Sequence, residues 1–178
     1  MLLFLSALMV ANGIVFFPPS ELILLAAYNS FSGYDSFAVF SILALSNSIG
    51  HIVLFLVSRM VIRGKWRVLA NSESLVSSFP VVSKLIISFG TIESNAFFGR
   101  FIPVVKTAVS ISSAASNVGV VKYVLLTCAG NIGFAFAWFA YFAMLSGVFE
   151  QKVFIGIVIV STAAIYYLHF KVSKLRAD

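Results

Sequence analysis

The residues with the clearest chemical potential are two cations in an otherwise apolar stretch. Arg100 and Lys106 flank Pro103 in NAFFGRFIPVVKTAVSIS, residues 95–112. A cation pair beside a helix break could bind an anionic headgroup, because backbone amides at the start of a helix also attract anions. The alternative is that both side chains extend from a shallow helix to lipid headgroups. We expect Arg100 and Lys106 to bind the phosphate of a substrate.

One acid, Glu21, stands in a comparable setting. It follows Pro18 and Pro19 in FFPPSELIL. Pro-Pro-Ser-Glu is typical of a helix start, where an acid in the first turn is favoured. Ionisable groups inside membranes are costly and often mark proton paths, so this carboxylate could also carry protons. We expect Glu21 to couple function to protons and to pair with the two cations when the site is empty.

Three further polar residues, Asn47, His51 and Asn131, lie inside apolar segments. Such residues usually hydrogen-bond to a neighbouring helix, and lining a substrate cavity is the alternative.

Catalytic and metal chemistry have little support in the sequence. Cys128 is the single cysteine, and the two histidines are far apart, so we expect no metal site and no cofactor. The chain has no Gly-x-Ser-x-Gly or His-Glu-x-x-His motif. We also expect no serine to pair with a histidine. The sequence therefore predicts no catalytic residue and no enzyme.

The composition indicates a membrane protein. Of 178 residues, 61% are hydrophobic and 10% are charged, whereas soluble domains are about one half apolar and one quarter charged. The net charge of +6 comes from short basic clusters beside apolar runs, which indicates lipid headgroups rather than nucleic acid as partners. MLLFLSALMVANGIVFF lacks a basic leader and a cleavage site, so we expect it to be retained rather than removed as a signal peptide. We predict one membrane domain over residues 1–178.

The apolar segments fall into two kinds. Transmembrane helices are predicted over residues 36–58, 120–149 and 153–170, each long enough to cross a bilayer. Residues 1–34 and 96–118 are interrupted by prolines, and the backbone groups freed there cannot face lipid. We expect each of these two segments to be a re-entrant hairpin that enters the membrane, breaks at its proline and returns to the same side.

Charge patterning sets the expected topology. Residues 59–67, RMVIRGKWR, contain four cations and no acid and should be cytoplasmic. They open a connector over residues 59–95 that includes an amphipathic segment. The tail, residues 171–178, is also basic. Both basic clusters lie on one side only if residues 96–118 return without crossing, which favours the hairpin.

A weak internal repeat accompanies this pattern. Each proline-broken segment is followed at the same interval by an asparagine within the next predicted helix. One hairpin plus one crossing would give the two units opposite orientations, as in many transporters. Three pairs of identical residues are separated by the same number of positions: Pro19 and Pro103, Phe17 and Phe101, Asn47 and Asn131.

Over residues 14–150 the chain resembles the DedA family, whose superfamily shares the VTT domain with eukaryotic lipid scramblases. FFGRFIPVVKTAVSISSAA is similar to the family's block of an aromatic-Gly-Arg-Phe-x-Pro run before a second cation. FFPPSELIL resembles its Pro-x-Ser-Glu element. GHIVLFLVSR before a basic loop, and GNIGFAFAW before Tyr141 and Gly147, resemble two further patterns.

The resemblance implies two re-entrant hairpins that approach from opposite faces. It implies roles in undecaprenyl-phosphate recycling, proton-motive-force dependence and lipid movement between leaflets. Arg100 and Lys106 match the family's basic pair, although the second cation is usually Arg, and Glu21 matches its membrane acid. A second acid of some members has only Asp35 as a candidate, in the turn-like run NSFSGYDS.

We therefore expect an all-α, multi-pass protein in the cell membrane of a bacterium or archaeon, as a single copy or a homo-oligomer. Its expected function is the transport of a phosphorylated lipid carrier of the polyprenyl phosphate type, coupled to protons. Anionic phospholipids are further expected partners. The alternatives are an uncoupled phospholipid scramblase, a proton-coupled exporter of small ions or drugs, and a structural assembly factor for membrane proteins.

Overall fold

The computed structural model describes residues 1–15, 18–31, 34–65, 96–101, 105–116 and 118–175. These residues form helices and short connections and contain no strand, which confirms the predicted all-α class. Residues 96–101 form a helical turn that ends in a 3-10 turn, Gly99–Phe101. The α-helices of the described residues are α1 (Leu2–Val15), α2 (Ser20–Ser30), α3 (Tyr34–Lys65), α4 (Val105–Ala115), α5 (Val120–Ser146) and α6 (Gln151–Leu175).

A proline break separates α1 from α2. Pro19 stands directly before α2 with φ −55° and ψ 129°. Its ring fixes φ and it has no N–H group, so a helix can begin after it but cannot continue through it. The break falls at Pro18 and Pro19, as expected for residues 1–34. Pro103 lies outside the described residues.

Within the described ranges, two helices are long and apolar enough to cross a membrane, Asp35–Ile62 within α3 and Val120–Ser146 in α5. They correspond to the predicted spans 36–58 and 120–149. α3 continues to Lys65, so the start of the predicted connector 59–95 is helical, because Met, Arg and Lys favour helices. Residues 66–95 are outside the described part of the chain.

The third predicted span, residues 153–170, falls within α6. Within this helix, residues Lys152–Ala164 form an apolar stretch. α6 also extends into the predicted tail at 171–178, as far as Leu175.

α1 and α3 pack closely and run in the same direction. The Asn47 amide nitrogen is 3.9 Å from the sulfur of Met9. One turn further along both helices, a Cβ atom placed on Gly13 would be 2.8 Å from the Gly50 Cα. Backbone contact at this point is therefore possible only because both residues are glycines.

α3 and α5 are antiparallel neighbours. The start of α3 contacts the later part of α5, and the middle of α3 contacts the earlier part. The contacts that establish this order are Phe37 with Phe136, Phe40 with Phe139, Ser48 with Asn131, and Phe55 with Tyr123.

α1 and α2 form the first helical pair, whose tip lies beside the middle of α5. The Lys106 Nζ bonds to Ser20 at the start of α2 and lies over the ring of Phe134 in α5. The other end of α2 places Tyr28 against Phe142, near the end of α5. α2 therefore runs alongside α5, back towards the side where α3 begins.

Residues 96–101 and α4 form the second helical pair, which approaches from the other end of α5. Phe101 packs on Phe134, so residues 96–101 lead to the middle of α5. α4 starts at the same level and returns, since the carbonyl of Val118 just beyond it accepts from Arg59 near the end of α3. The tips of the two helical pairs meet at Ser20 and Lys106.

Two apolar clusters hold this arrangement. The larger lies at the side where α3 begins and includes residues of α1, α2, α3, α5 and α6, with Phe40 and Phe142 fully buried. The smaller packs the second helical pair against α3 and α5 around Phe55 and Tyr123, whose rings stack at 3.9 Å. Between them lies a layer of buried polar side chains.

Candidate functional site

The centre of the polar layer is Lys106. Its Nζ donates a hydrogen bond to Ser20 Oγ at 2.8 Å and lies 3.9 Å from Glu21 Oε1. The ammonium is also 3.4 Å from the centroid of the Phe134 ring, within the range of a cation–π contact. The structure thus brings together Glu21 and Lys106, which come from different helical pairs.

The Glu21 carboxylate is buried without a hydrogen bond. Its side chain is 1% exposed, and neither oxygen accepts from any described residue. It stands in the first turn of α2. A buried carboxylate without donors is costly, and such groups are usually satisfied by a proton, a water molecule or a ligand.

Arg100 is fully buried and lies beside Lys106 without an acidic partner among the described residues. All five of its N–H groups have neutral acceptors at 2.8–3.3 Å. The acceptors are the carbonyls of Ala96 and Lys106 and the hydroxyls of Ser110, Tyr123 and Thr127. In this arrangement Arg100 links residues 96–101 and α4 to α5, and it has no donor left for a phosphate.

Ser110 joins this network to His51. Its Oγ is 3.2 Å from His51 Nδ1, so the expectation that no serine pairs with a histidine is wrong. The same oxygen accepts from Arg100 Nη1 and from the Tyr123 hydroxyl, which occupy its two lone pairs. Ser110 is therefore the donor to His51 Nδ1 or to the Lys106 carbonyl, and its oxygen is engaged as a structural acceptor.

His51 Nδ1 lies against the Ser110 hydroxyl, and the direction of their hydrogen bond follows the tautomer of the ring. Nε2 is buried and has no partner among the described residues.

Asn47 supports the first helical pair through Asn12. Asn12 donates to the Pro18 carbonyl at 2.7 Å, which leaves its Oδ1 to accept from Asn47 Nδ2 at 3.0 Å. This chain links α3 to the residue just before Pro19 and fixes the position of the break. Asn47 Oδ1 is buried without a hydrogen-bond partner among the described residues.

Asn131 makes the corresponding link between α5 and α3. Ser48 gives its hydrogen to the Ala44 carbonyl, so its oxygen accepts from Asn131 Nδ2 at 3.0 Å. Asn131 Oδ1 has no partner among the described residues. The sequence left two alternatives for these polar residues, a hydrogen bond to a neighbouring helix or a place in the lining of a substrate cavity. In the structure, Asn47, His51 and Asn131 each bond to a neighbouring helix.

Other candidates lie apart from this cluster or outside the described residues. Asp35 is exposed in the first turn of α3. Pro103 falls between described segments. No group of three His, Cys, Asp or Glu residues within the described ranges is placed to hold a metal.

Sequence reasoning missed five residues that hold the site: Asn12, Ser20, Ser110, Tyr123 and Thr127. A usable signal existed for two of them. Tyr123, Thr127 and Asn131 are four residues apart and so share one face of α5. No comparable spacing marks Asn12 or Ser20, because their partners are remote in the sequence.

In the part of the chain that the structure describes, the fold and the site define an all-α protein with two helices of membrane-spanning length around a buried cluster of two basic groups and one acidic group. No protein-family model matches the chain, and neither a curated protein nor a solved structure is significantly similar to it.

Proposed function

We propose that the protein is a proton-coupled membrane transporter of a phosphorylated lipid, a flippase for a carrier of the polyprenyl phosphate type, and a relative of the DedA family. One observation carries the proposal. Lys106 and Glu21 meet at 3.9 Å where the tips of the two helical pairs touch. At this place an anionic headgroup can replace Glu21 as the partner of Lys106, and Glu21 can return when the headgroup leaves.

The arrangement of the helical pairs supports the transport plan. Each pair approaches the middle of α5 from a different side, and α3 and α5 are antiparallel. Inverted units with broken helices that meet at a central site are common in transporters. At the break, the Pro18 carbonyl accepts a hydrogen bond from Asn12, which satisfies one of the backbone groups that cannot face lipid. In this proposal the pairs are re-entrant hairpins and the basic end of α3 is cytoplasmic.

The charges of the site favour an anion. Arg100 and Lys106 provide two basic groups against one acid, Glu21, so the buried cluster has one positive charge in excess when all three are ionised. A phosphate monoester carries a charge of about −1.5 to −2 near neutral pH. Protonation of Glu21 would free Lys106 and leave two positive charges to match that phosphate. Proton uptake and lipid binding therefore favour each other.

The two cations take different roles. Lys106 is a point charge held by one hydroxyl and one ring, so it can turn from Glu21 to a phosphate. Arg100 is fixed by five neutral acceptors and contributes positive potential from behind Lys106. The polyprenyl chain stays in the lipid while the headgroup changes sides.

Transport assays in liposomes test this proposal. Purified protein is reconstituted with a labelled polyprenyl phosphate, and the appearance of headgroups in the opposite leaflet is followed with and without a pH gradient. We expect gradient-stimulated movement, its loss in Lys106→Gln, and loss of the pH response in Glu21→Gln. The exposed neighbours Lys152 and Glu150 supply matched controls, Lys152→Gln and Glu150→Gln, which should behave like the unmodified protein.

Three results would refute the proposal in different ways. Movement of ordinary phospholipids without a pH response would indicate a scramblase. Movement of a small ion but no lipid would indicate an exporter. Tolerance of both Lys106→Gln and Glu21→Gln, with normal growth of the host cells, would indicate a structural factor.

A further inference from the structure

We infer that the first turn of α2 is the second half of the phosphate site, so that Ser20 and the backbone N–H groups of Ser20 and Glu21 bind the same phosphate as Lys106. This inference rests on the proposed function. It assigns ligand contacts to the first helical pair, whereas the sequence placed the phosphate contacts on Arg100 and Lys106 of the second pair alone.

The start of α2 has donors without acceptors in the part of the chain that the structure describes. Its backbone bonding begins with the N–H groups of Leu22 and Ile23, both of which donate to the Pro19 carbonyl. The residue before the helix is Pro19, which cannot cap it with a side chain. The N–H groups of Ser20 and Glu21 are thus unpaired among the described residues, as the first N–H groups of an uncapped helix are.

The Ser20 hydroxyl adds a further donor. Its oxygen accepts from Lys106 Nζ at 2.8 Å, and it donates in none of the hydrogen bonds of the described residues. Ser20 is 2% exposed, so bulk water does not satisfy its hydrogen. The hydroxyl can turn this hydrogen to an anion that binds beside Lys106.

An independent observation at the same place is the unbonded Glu21 carboxylate. It belongs to the same helical turn, is buried, and yet accepts from none of these donors. A buried region that holds unsatisfied donors and an unsatisfied acid is incomplete without a ligand. Once Glu21 is protonated, every group around Lys106 at this helix start can donate, and an anion is the ligand that satisfies them.

A phosphate fits this set of donors. It offers three terminal oxygens that accept strong hydrogen bonds. Lys106 and the Ser20 hydroxyl come from facing tips, so a phosphate between them would bind both helical pairs at once. Such a ligand would replace the Glu21–Lys106 contact instead of adding to it.

Carbodiimide labelling of Glu21 provides the test. A hydrophobic carbodiimide reacts with protonated carboxyl groups in apolar surroundings, and mass spectrometry of the peptide that contains Glu21 gives the rate. The full-length protein in detergent is labelled at mildly acidic pH with increasing geranylgeranyl monophosphate, and in parallel with inorganic phosphate. The measured quantity is the concentration that halves the labelling rate.

We expect geranylgeranyl monophosphate to protect Glu21 in the unmodified protein, because a phosphate bound between Ser20 and Lys106 blocks access of the carbodiimide to the adjacent carboxyl even though it favours the protonated form. Ser20→Ala should raise the half-protecting concentration about tenfold, the cost of one hydrogen bond to a charged group. Ser20→Thr keeps the hydroxyl and should restore most of the protection. Unfolding temperatures of both variants verify that each is folded.

The outcomes separate the inference from the proposed function. If the unmodified protein shows no protection by either phosphate, both fail. If Lys106→Gln removes protection but Ser20→Ala leaves the half-protecting concentration unchanged, the function stands and the inference is wrong. If Ser20→Ala alters only the labelling rate without ligand, Ser20 merely holds Lys106, which also refutes the inference.

Discussion

Lys106 Nζ lies 3.9 Å from Glu21 Oε1, and both side chains are almost fully buried. The contact joins the start of α4 to the start of α2, the tips of two helical pairs that are remote in the sequence. The two residues are held unequally, because Lys106 also contacts Ser20 and the Phe134 ring, whereas Glu21 has no hydrogen bond to any described residue. This inequality determines what each substitution should do.

Removal of the cation should cost more stability than removal of the acid. Lys106→Gln leaves the Glu21 carboxylate buried without a counter-charge, and we expect a loss of about 3 kcal/mol in the free energy of unfolding. Glu21→Gln should cost less, because Lys106 keeps two partners. The double variant should lose less than the sum of the single losses. Urea unfolding of the purified protein in detergent measures all three.

The exposed residues Glu150 and Lys152 provide control substitutions for the Lys106 and Glu21 variants. Glu150→Gln and Lys152→Gln, alone or together, should change the free energy of unfolding by no more than about 0.5 kcal/mol. Strictly additive effects of Lys106→Gln and Glu21→Gln would show that the two groups do not interact.

Arg100 should not be replaceable by lysine. An ammonium cannot reproduce the five directed bonds of the guanidinium, so Arg100→Lys would leave the hydroxyls of Ser110, Tyr123 and Thr127 without their donor. We expect a loss of about 3 kcal/mol in unfolding free energy, close to that of Arg100→Ala. Thermal unfolding followed by circular dichroism measures this.

Arg59 is the matched control for that substitution. It donates to one carbonyl, that of Val118, and lies over the Phe55 ring. A lysine can keep both contacts, so Arg59→Lys should cost less than about 1 kcal/mol. An unfolding temperature of Arg100→Lys equal to that of Arg59→Lys would contradict the structural role of the guanidinium.

Asn12 and Asn47 should act as one unit. Asn12→Leu keeps the branching and number of side-chain heavy atoms, but it leaves the Pro18 carbonyl without its donor and the Asn47 amide with only the Met9 sulfur as a partner. We expect it to cost about 2 kcal/mol. Asn47→Leu removes the next bond of the same chain. Once Asn12 is lost, Asn47→Leu should therefore cost clearly less than it does alone, and equal costs in both backgrounds would mean that the chain is not cooperative.

The two single variants should also differ in local exposure. Asn12→Leu acts directly on the break before α2, so proteolysis near Pro18 should increase more than in Asn47→Leu. Equal cleavage near Pro18 in both variants would indicate that the increased proteolysis comes from weaker packing of α3 and not from the loss of the Asn12–Pro18 bond.

The local sequence pattern predicted the helices and the first helix break better than it predicted the contacts between helices. Composition and the charge-free runs identified the two long helices, and Pro18 with Pro19 identified the first break, because these signals lie within a few neighbouring residues. The basic residues after position 58 predict a loop, whereas α3 continues to Lys65, because Arg and Lys are good helix formers.

The candidate site could be predicted only in part. Charged groups inside apolar segments are costly, so Glu21 is predicted to pair with both Arg100 and Lys106. The structure brings Glu21 to Lys106, whereas Arg100 has no acidic partner among the described residues. The enclosure of Arg100 by Tyr123 and other neutral acceptors depends on how separate segments meet, which residue types do not encode. Its phosphate contact remains a prediction that would require one of these bonds to open.

The contact between α1 and α3 should tolerate no side chain at its glycines. A Cβ atom on Gly13 would lie 2.6 Å from the Asn47 carbonyl oxygen, and one on Gly50 would collide with the Val10 carbonyl oxygen. Gly50→Ala must therefore separate the two helices, and we expect a loss of more than about 2 kcal/mol and a weaker Asn12–Asn47 bond. Gly156 in α6 has open space around its Cα, so Gly156→Ala should instead stabilise the protein by up to about 1 kcal/mol through helix propensity. Opposite shifts in the unfolding temperature of these two variants would support this packing, and stabilisation by Gly50→Ala would exclude it.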